Sequence, residues 1–321
     1  MTEDNQPLAS EQMIALLRCP QTGESLRQDG DHLVTESGTI RYKLDDSGVP
    51  LFAADFLSEE ALTQQQHYDR IAETYAENLT YPHTLEYMSY LDDALRDTVN
   101  TEELGCCAEI CCGTGEAFAL FDQSIAEGVG IDVSISMLRI ARKSFKNSPL
   151  FFVQGDATRL PLKNESFDSV IVLGGIHHVP DRRALFAQIF RILKPGGVFI
   201  WREPVSDLWL WKLLRSVVYR VSPMLDHETE KPLTYDETVP LLTDTGFSVT
   251  QWQTYGFLGF CIFMNSDVLF FNRFFRFIPG IRAITRLFDR FAEWCPRRSL
   301  LRRAGLQVIG KATKPNTGTL K

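Results

Sequence analysis

Between Gly105 and residue 202, short apolar runs alternate with helical stretches, and this alternation constrains the fold more than any other feature. The pattern predicts strands at 106–112, 128–132, 150–153, 168–173 and 197–202. Helices are expected between them, at 115–126, 135–146 and 181–193. Strand–helix–strand repetition produces a parallel sheet with helices on both faces. We therefore predict an α/β fold with a doubly wound, mostly parallel sheet.

The segments on either side of this region differ from it and divide the chain of 321 residues into parts. Residues 31–52 carry Ser-Gly turn dipeptides between strand-forming flanks, which predicts a small β-rich domain over residues 1–56. The main domain is expected over residues 57–255. Aromatic and arginine residues dominate the remainder, which predicts a helical, amphipathic C-terminal cap over residues 256–321.

The net charge of −8 is distributed unevenly along the chain. Residues 251–321 carry 12 Lys and Arg residues against 3 Asp and Glu residues, whereas the preceding residues carry 21 against 38. A basic end of this kind indicates either an anionic partner or docking onto the acidic body, and the sequence favours neither. The acidic body argues against a nucleic-acid partner.

Targeting signals and cysteine usage both favour a cytoplasmic protein. Residues 1–18 have no basic stretch, so we expect no secretory signal peptide, and no run of 18 uncharged apolar residues predicts a membrane-spanning helix. The seven cysteines include two adjacent pairs, which rarely form disulfides. The spacing of Cys107 and Cys111 is poor for zinc, so we expect core packing and no metal.

A glycine-rich turn follows the first predicted strand of the alternating region, in the stretch Glu109-Ile-Cys-Cys-Gly113-Thr-Gly115-Glu-Ala-Phe118. Glycines at the carboxyl end of such a strand let the backbone turn tightly and approach a ligand. A dinucleotide-binding fingerprint has a third glycine where this chain has Phe118. The turn therefore predicts a nucleotide-like ligand but argues against NAD.

Acidic residues end the next two predicted strands. Asp132 lies 17 residues beyond Gly115, where a carboxylate can accept hydrogen bonds from both hydroxyls of a ribose. Asp156 follows the next strand, where an acceptor can bind an adenine amino group. The alternative for both acids is a turn or helix-capping role.

The order and spacing of these residues resemble those of the class I S-adenosylmethionine (SAM)-dependent methyltransferases, over roughly residues 65–205 and more weakly to about 255. The resemblance implies a Rossmann-like, seven-stranded sheet, SAM as the cofactor and methyl transfer as the reaction. It assigns cofactor binding to Tyr75, Glu109, Gly113, Gly115, Asp132, Val133, Met137, Asp156, Ala157 and Gly174.

The charge of SAM suits a site rich in carboxylates, because the molecule carries a cationic sulfonium and an ammonium group. Glu109 is expected near that ammonium group or near the backbone of the glycine loop. The alternative for Glu109 is a carboxylate that only braces the loop or caps a helix.

Two histidines follow the fourth predicted strand of the alternating region. His177 and His178 lie where members of the resembled family often place residues that face the substrate. Histidine can act as a general base at neutral pH, so both are candidate catalytic residues. The alternative is that they form only the wall of the site, since many methyl transfers proceed by placement alone.

The N-terminal β-rich domain resembles the small zinc-ribbon-like domain of the Trm112 type that precedes some methyltransferases. A zinc site needs about four ligands, and this segment offers only Cys19 and His32. We therefore expect a packing or partner module without a metal.

The C-terminal segment bears on the methyl acceptor. In residues 281–294, Ile281, Ile284, Leu287, Phe288 and Phe291 are expected on one helical face and the arginines on another. Residues 207–221 have a similar composition. Such helices can lie at an anionic membrane surface, cap an active site or pack as ordinary core helices. We favour a hydrophobic small-molecule acceptor (quinone-, polyketide- or lipid-like) over an RNA or protein acceptor and over a SAM-binding protein without activity.

Overall fold

A computed structural model describes residues 11–53, 61–66, 69, 80–99, 104–209, 231–256, 272–294 and 303–316. The chain begins with α1 (Glu11–Ala15) and a three-stranded antiparallel sheet. Its strands are β1 (Leu26–Asp29), β2 (His32–Thr35) and β3 (Arg41–Lys43). Tyr75 and residues 210–221, which the sequence analysis singled out, lie outside the described residues.

The main body is a seven-stranded sheet with the strand order β6-β5-β4-β7-β8-β10-β9. Its strands are β4 (Gly105–Ile110), β5 (Ile125–Asp132), β6 (Leu150–Gln154), β7 (Phe167–Leu173), β8 (Leu193–Pro204), β9 (Ser248–Tyr255) and β10 (Gln307–Thr313). The first five of these are parallel, and β10 runs antiparallel to both of its neighbours. This confirms the predicted α/β class and its mostly parallel, Rossmann-like sheet.

Helices cover both faces of the sheet. They are α2 (Pro82–Val99), α3 (Glu116–Leu120), α4 (Ile135–Ser144), α5 (Arg182–Ile192), α6 (Tyr235–Thr245) and α7 (Ile281–Trp294). Ser134 caps α4 by accepting the Met137 N–H, and Asp181 caps α5 by accepting the Ala184 N–H. The predicted helix over 115–126 ends earlier, at Leu120, because Ile125 pairs with Gly105 and begins β5.

The N-terminal unit packs against the edge of the main sheet. Leu17, Leu33 and Tyr42 belong to the same buried cluster as Val153 of β6. The Phe52 N–H donates to the Gln154 carbonyl at 3.0 Å, and the Gln154 N–H donates to the Pro50 carbonyl at 2.9 Å. The chain that leaves this unit therefore pairs with the outer strand of the main sheet.

The C-terminal part corrects one predicted boundary. Residues 307–313 were assigned to the helical cap, but they form β10 between β8 and β9. Val308 and Ile309 are fully buried there, and Gly310 has no side chain because a Cβ would lie 2.0 Å from the Trp201 ring. The described part of the cap is thus a 3-10 turn (Asn272–Phe277) followed by α7.

None of the described helices has both the length and the apolar composition that a bilayer crossing requires.

Candidate functional site

A cavity of about 540 Å³ opens at the carboxyl edge of the sheet, where β4, β5, β6 and β7 end. The strand order reverses between β4 and β7, and sheets of this type bind ligands beyond the strand ends at such a point. The volume lies within the range of small-molecule sites, roughly 300–1,000 Å³. Nine of the residues singled out from the sequence line this cavity: Gly113, Gly115, Asp132, Val133, Met137, Asp156, Ala157, Gly174 and His178.

The glycine loop has a shape that other residues could not adopt easily. Gly115 has a φ of 86°, and a Cβ there would lie 2.7 Å from the ring of Phe145. Gly113 has a φ of 50° and faces open space, since a Cβ there would meet nothing within 4 Å. The loop therefore leaves room for a ligand next to the backbone at Gly113.

Asp132 ties this loop to the end of β5. Its Oδ2 accepts the Gly113 N–H at 2.8 Å, and its Oδ1 accepts the Ser134 N–H at 2.9 Å. Burial raises the pKa of Asp132, although these backbone bonds oppose the effect. A carboxylate has about four acceptor positions, so Asp132 can still accept hydrogen bonds from a ligand in the cavity that it lines.

Asp156 is positioned by its own turn. One carboxylate oxygen, Oδ1, accepts both the backbone N–H and the hydroxyl of Thr158, each at 2.7 Å. No described residue bonds to Oδ2. Asp156 lines the cavity together with Ala157, so Oδ2 can accept a hydrogen bond from a ligand.

Glu109 is placed differently from the other predicted cofactor residues. It is buried and does not line the cavity. Its carboxylate accepts the N–H groups of Ala117 at 2.8 Å and Phe118 at 3.3 Å, in the first turn of α3. Burial raises its pKa to about 8. These contacts correspond to the helix-capping alternative rather than to contact with a ligand.

The two histidines occupy a 3-10 turn over Ile176–His178, directly after Gly174 and Gly175. His178 lines the cavity, whereas His177 does not. The centroids of the two rings are 3.8 Å apart. His177 therefore supports the ring that faces the cavity.

Glu203 is a site residue that the sequence analysis missed. It lies fully buried in β8, where Oε2 is 2.8 Å from the His177 Nδ1 atom. Its Oε1 accepts the N–H groups of Gly175 and Ile176, both at 2.7 Å. Burial raises its pKa to about 7. The available signal was an adjacent Arg-Glu pair within an otherwise apolar strand.

Arg202, the other member of that pair, was also missed. Its guanidinium bonds to Asp92 of α2 at 2.7 Å and to Glu116 of α3 at 2.5 Å. Glu116 lines the cavity. Arg202 therefore holds α2 and α3 together beside the glycine loop.

The cavity wall combines hydrogen-bond acceptors with apolar side chains. Asp132 and Asp156 provide acceptors, whereas Leu85 and Met88 of α2 and Val179 are apolar. The arrangement can bind a polar, hydroxyl-bearing ligand beside an apolar one.

Burial or hydrogen bonding accounts for several of the described residues that were considered as metal ligands. Cys106 and Cys107 are buried in β4, and burial raises the pKa of the Cys106 thiol to about 12. The Cys19 Sγ atom is 3.0 Å from the Tyr42 hydroxyl, and the His32 Nδ1 atom is 2.7 Å from Asp31. In the described ranges, no three His, Cys, Asp or Glu residues are grouped as metal ligands. The likeness of this unit to the Trm112 type stays a prediction.

Comparisons with known proteins agree with this geometry. Residues 108–201 match the methyltransferase domain family. A demethylmenaquinone methyltransferase of Leptospira interrogans is 30% identical over 173 residues, which cover 46% of this chain and 70% of that protein. A demethylmenaquinone methyltransferase of Lactiplantibacillus plantarum is 26% identical over 172 residues, which cover 46% and 73% of the two chains.

Solved structures share the fold. A SAM-dependent methyltransferase of Thermotoga maritima superposes with a TM-score of 0.51 at 21% sequence identity. The match covers 78% of this chain and 99% of that one.

Proposed function

Because the chain belongs to the class I SAM-dependent methyltransferases, we propose that it methylates a hydrophobic small molecule of the quinone, polyketide or lipid type. This proposal is supported by the mixed lining of the cavity, which contains the carboxylates of Asp132 and Asp156 as well as the apolar residues Leu85, Met88 and Val179. The relatives named as demethylmenaquinone methyltransferases support a quinone-like acceptor in particular.

The proposed SAM site uses the acceptors that line the cavity. Asp132 would accept hydrogen bonds from the ribose hydroxyls, and Oδ2 of Asp156 would accept one from the adenine amino group. Val133, Met137 and Ala157 would contact the adenine ring. The backbone at Gly113, Gly115 and Gly174 would approach the amino acid end and the sulfonium. When bound, SAM supplies the electrophilic methyl group.

Two further residues would contribute to the SAM site. Glu109 would act through the loop that it braces, since its carboxylate already accepts two backbone N–H groups. Tyr75 is retained near the methionine end of SAM on the resemblance alone.

The two histidines would have different roles in the transfer. His178 lines the cavity and would accept a proton from an acidic acceptor as its carbon or oxygen attacks the methyl group. His177 would position His178, because the centroids of the two tilted rings are 3.8 Å apart and the His177 Nδ1 atom bonds to buried Glu203.

The proposed SAM site is tested by the substitution Asp132→Ala. We expect SAM to bind about 10-fold more weakly or worse, because a hydrogen-bonded carboxylate contributes about 1.5–3 kcal/mol. Isothermal titration calorimetry measures the change. Asp122→Ala, which removes an exposed acid outside the cavity, is the matched control. Equal affinities for SAM in the two variants would contradict the ribose assignment.

The proposed acceptor class is tested by a transfer assay. The protein is incubated with methyl-labelled SAM and a cell extract, and the products are divided between organic solvent and water. We expect the label in the organic phase. Label on RNA or protein in the aqueous phase would overturn the hydrophobic acceptor and favour a macromolecular substrate. Binding of SAM without any label would favour a role without catalysis.

A further inference from the structure

We propose that the outward face of residues 274–291 docks on an anionic lipid bilayer. This inference rests on the proposed function, because a hydrophobic methyl acceptor partitions into membranes. Large apolar side chains cluster on the 3-10 turn and on α7, and they are exposed. We call this surface the cap patch: Phe274, Phe277, Ile278, Ile284, Leu287 and Phe291.

The apolar face of α7 that the sequence predicted is only partly buried. Ile281 is 6% exposed and packs with Phe288 against Tyr87 and Leu91 of α2. Leu287, in contrast, is 68% exposed. One stripe of α7 therefore holds the helix on the body, and a second stripe remains at the surface.

A surface of this kind requires an explanation. Single exposed apolar residues are normal, but clusters of them mark interaction sites. The exposed residues of the 3-10 turn and of α7 belong to two consecutive elements that contact each other. Both elements thus contribute to one surface.

The charges around the cap patch favour a lipid surface. Residues 272–294 contain five arginines against two acids, and Asp289 is buried away from the patch. Arg276, Arg282 and Arg290 are exposed. Arg286 is paired with Glu86 at 2.7 Å, so the other exposed arginines supply the excess positive charge beside the apolar row. That excess complements the negative charge of anionic head groups.

One arginine already has the geometry of an interfacial residue. The Arg276 guanidinium lies 4.8 Å from the Phe277 ring centroid and 5.0 Å from that of Tyr81. The positive charge thus lies against two aromatic rings while Arg276 remains exposed, an arrangement suited to a surface that is both apolar and anionic.

The position of the cap patch relates it to the cavity. Helix α2 lies between them, because Leu85 and Met88 line the cavity while Tyr87 and Leu91 hold α7. Leu85 is 46% exposed and therefore lies at the opening. Docking of the cap patch would bring this opening towards the bilayer, and a hydrophobic acceptor would enter without crossing water.

The proposal is tested by vesicle co-sedimentation of the full chain. Vesicles of phosphatidylcholine alone are compared with vesicles that also contain phosphatidylglycerol. We expect binding to the anionic vesicles and weaker binding as salt increases. The double substitution F277S/L287Q should reduce the partition coefficient about 10-fold or more, since each side chain loses its burial in lipid.

A charge series isolates the role of the arginines. The double substitution R282Q/R290Q should weaken binding to anionic vesicles. The control R27Q/R41Q removes the same amount of charge from the N-terminal unit and should leave vesicle binding unchanged. Equal binding by both double variants, or no binding of the unaltered protein at low salt, would overturn the proposal. Light scattering tests the alternative occupant. If the unaltered protein is a dimer and F277S/L287Q is a monomer, the cap patch binds a second copy of this chain instead of lipid.

Two readouts separate this inference from the proposed function. SAM binding and methyl transfer to acceptors dispersed in detergent should be unchanged in F277S/L287Q, since the cap patch does not line the cavity. If the unaltered protein binds vesicles but transfers no label to the organic phase, the acceptor proposal fails and the docking proposal stands.

Discussion

The two segments that flank the main body use their apolar side chains in opposite ways. In the N-terminal unit, Leu17, Leu33 and Tyr42 are at most 4% exposed and extend the core of the body. In the C-terminal cap, Phe277 and Leu287 are each 68% exposed. Both segments are additions to the same sheet, but only the first uses nearly all of its hydrophobic surface for attachment.

The attachments differ in kind as well as in extent. The N-terminal unit pairs its backbone with Gln154 at the sheet edge, which protects an edge strand from other chains. Its Asp45 also bonds to Arg139 of α4 at 2.9 Å. The described helix of the cap is held on α2 by side chains such as Ile281. The comparison therefore predicts that substitutions in the N-terminal unit affect stability and those in the cap patch affect binding.

The largest effect is expected for Leu17→Ala. Leu17 is fully buried in the cluster shared by the N-terminal unit and the body, and such truncations reduce the free energy of unfolding by about 2–5 kcal/mol. Urea unfolding measures the change. A loss below about 1 kcal/mol would mean that the N-terminal unit does not extend the core of the body.

A smaller and pH-dependent effect is expected for Asp45→Asn. Hydrogen bonds from Ser47, Val49 and Arg139 outweigh the effect of burial and lower the pKa of Asp45 below its ordinary 3.8. The ionised form is therefore favoured in the folded state, so its stabilisation is present above pH 3.8 and is lost as the pH falls through the lower folded value.

At pH 7 the loss in Asp45→Asn should be about 1–3 kcal/mol, because a buried acceptor loses part of its hydrogen bonding. Urea midpoints of the two proteins, measured from pH 7 down to about 3, should converge at the acidic end. A difference that stays constant with pH would show that ionisation of Asp45 does not contribute.

The smallest change in stability is expected for Leu287→Gln. Its side chain is 68% exposed, so the free energy of unfolding should change by no more than about 0.5 kcal/mol. Ile281→Ala on the same helix removes a buried contact and should cost more, which makes it the matched control. Equal losses in the two variants would mean that the cap patch is buried in solution.

The parallel part of the fold could be predicted because each strand and helix there has its own periodicity. The prediction placed residue 125 in a helix, but it begins β5. Its strand conformation depends on pairing with Gly105, which is distant in the sequence and leaves no local pattern. The strand at 307–313 was missed for the same reason. Its seven residues contain a single charged residue, Lys311, and no strict alternation of apolar and polar side chains. They form a strand because they pair with β8 on one side and β9 on the other.

The sequence predicted those site residues that lie at the carboxyl ends of the parallel strands. Asp132 and Asp156 follow β5 and β6, and both line the cavity. Glu109 was harder to place, because its carboxylate turns towards the N–H groups of α3. Glu203 was missed although a charged pair interrupts its apolar strand, since its role arises from the pairing of β8 with β7, which brings it next to His177.

The position of β10 has a consequence for biosynthesis. The strand lies between β8 and β9, yet it follows both of them in the chain. A nascent chain that has emerged only to residue 255 therefore has two strands whose inner edges lack their partner, and open edges of this kind promote aggregation. The sheet closes only after the intervening residues 256–306 have been made. We therefore expect the nascent chain to be most prone to aggregation while that segment is translated.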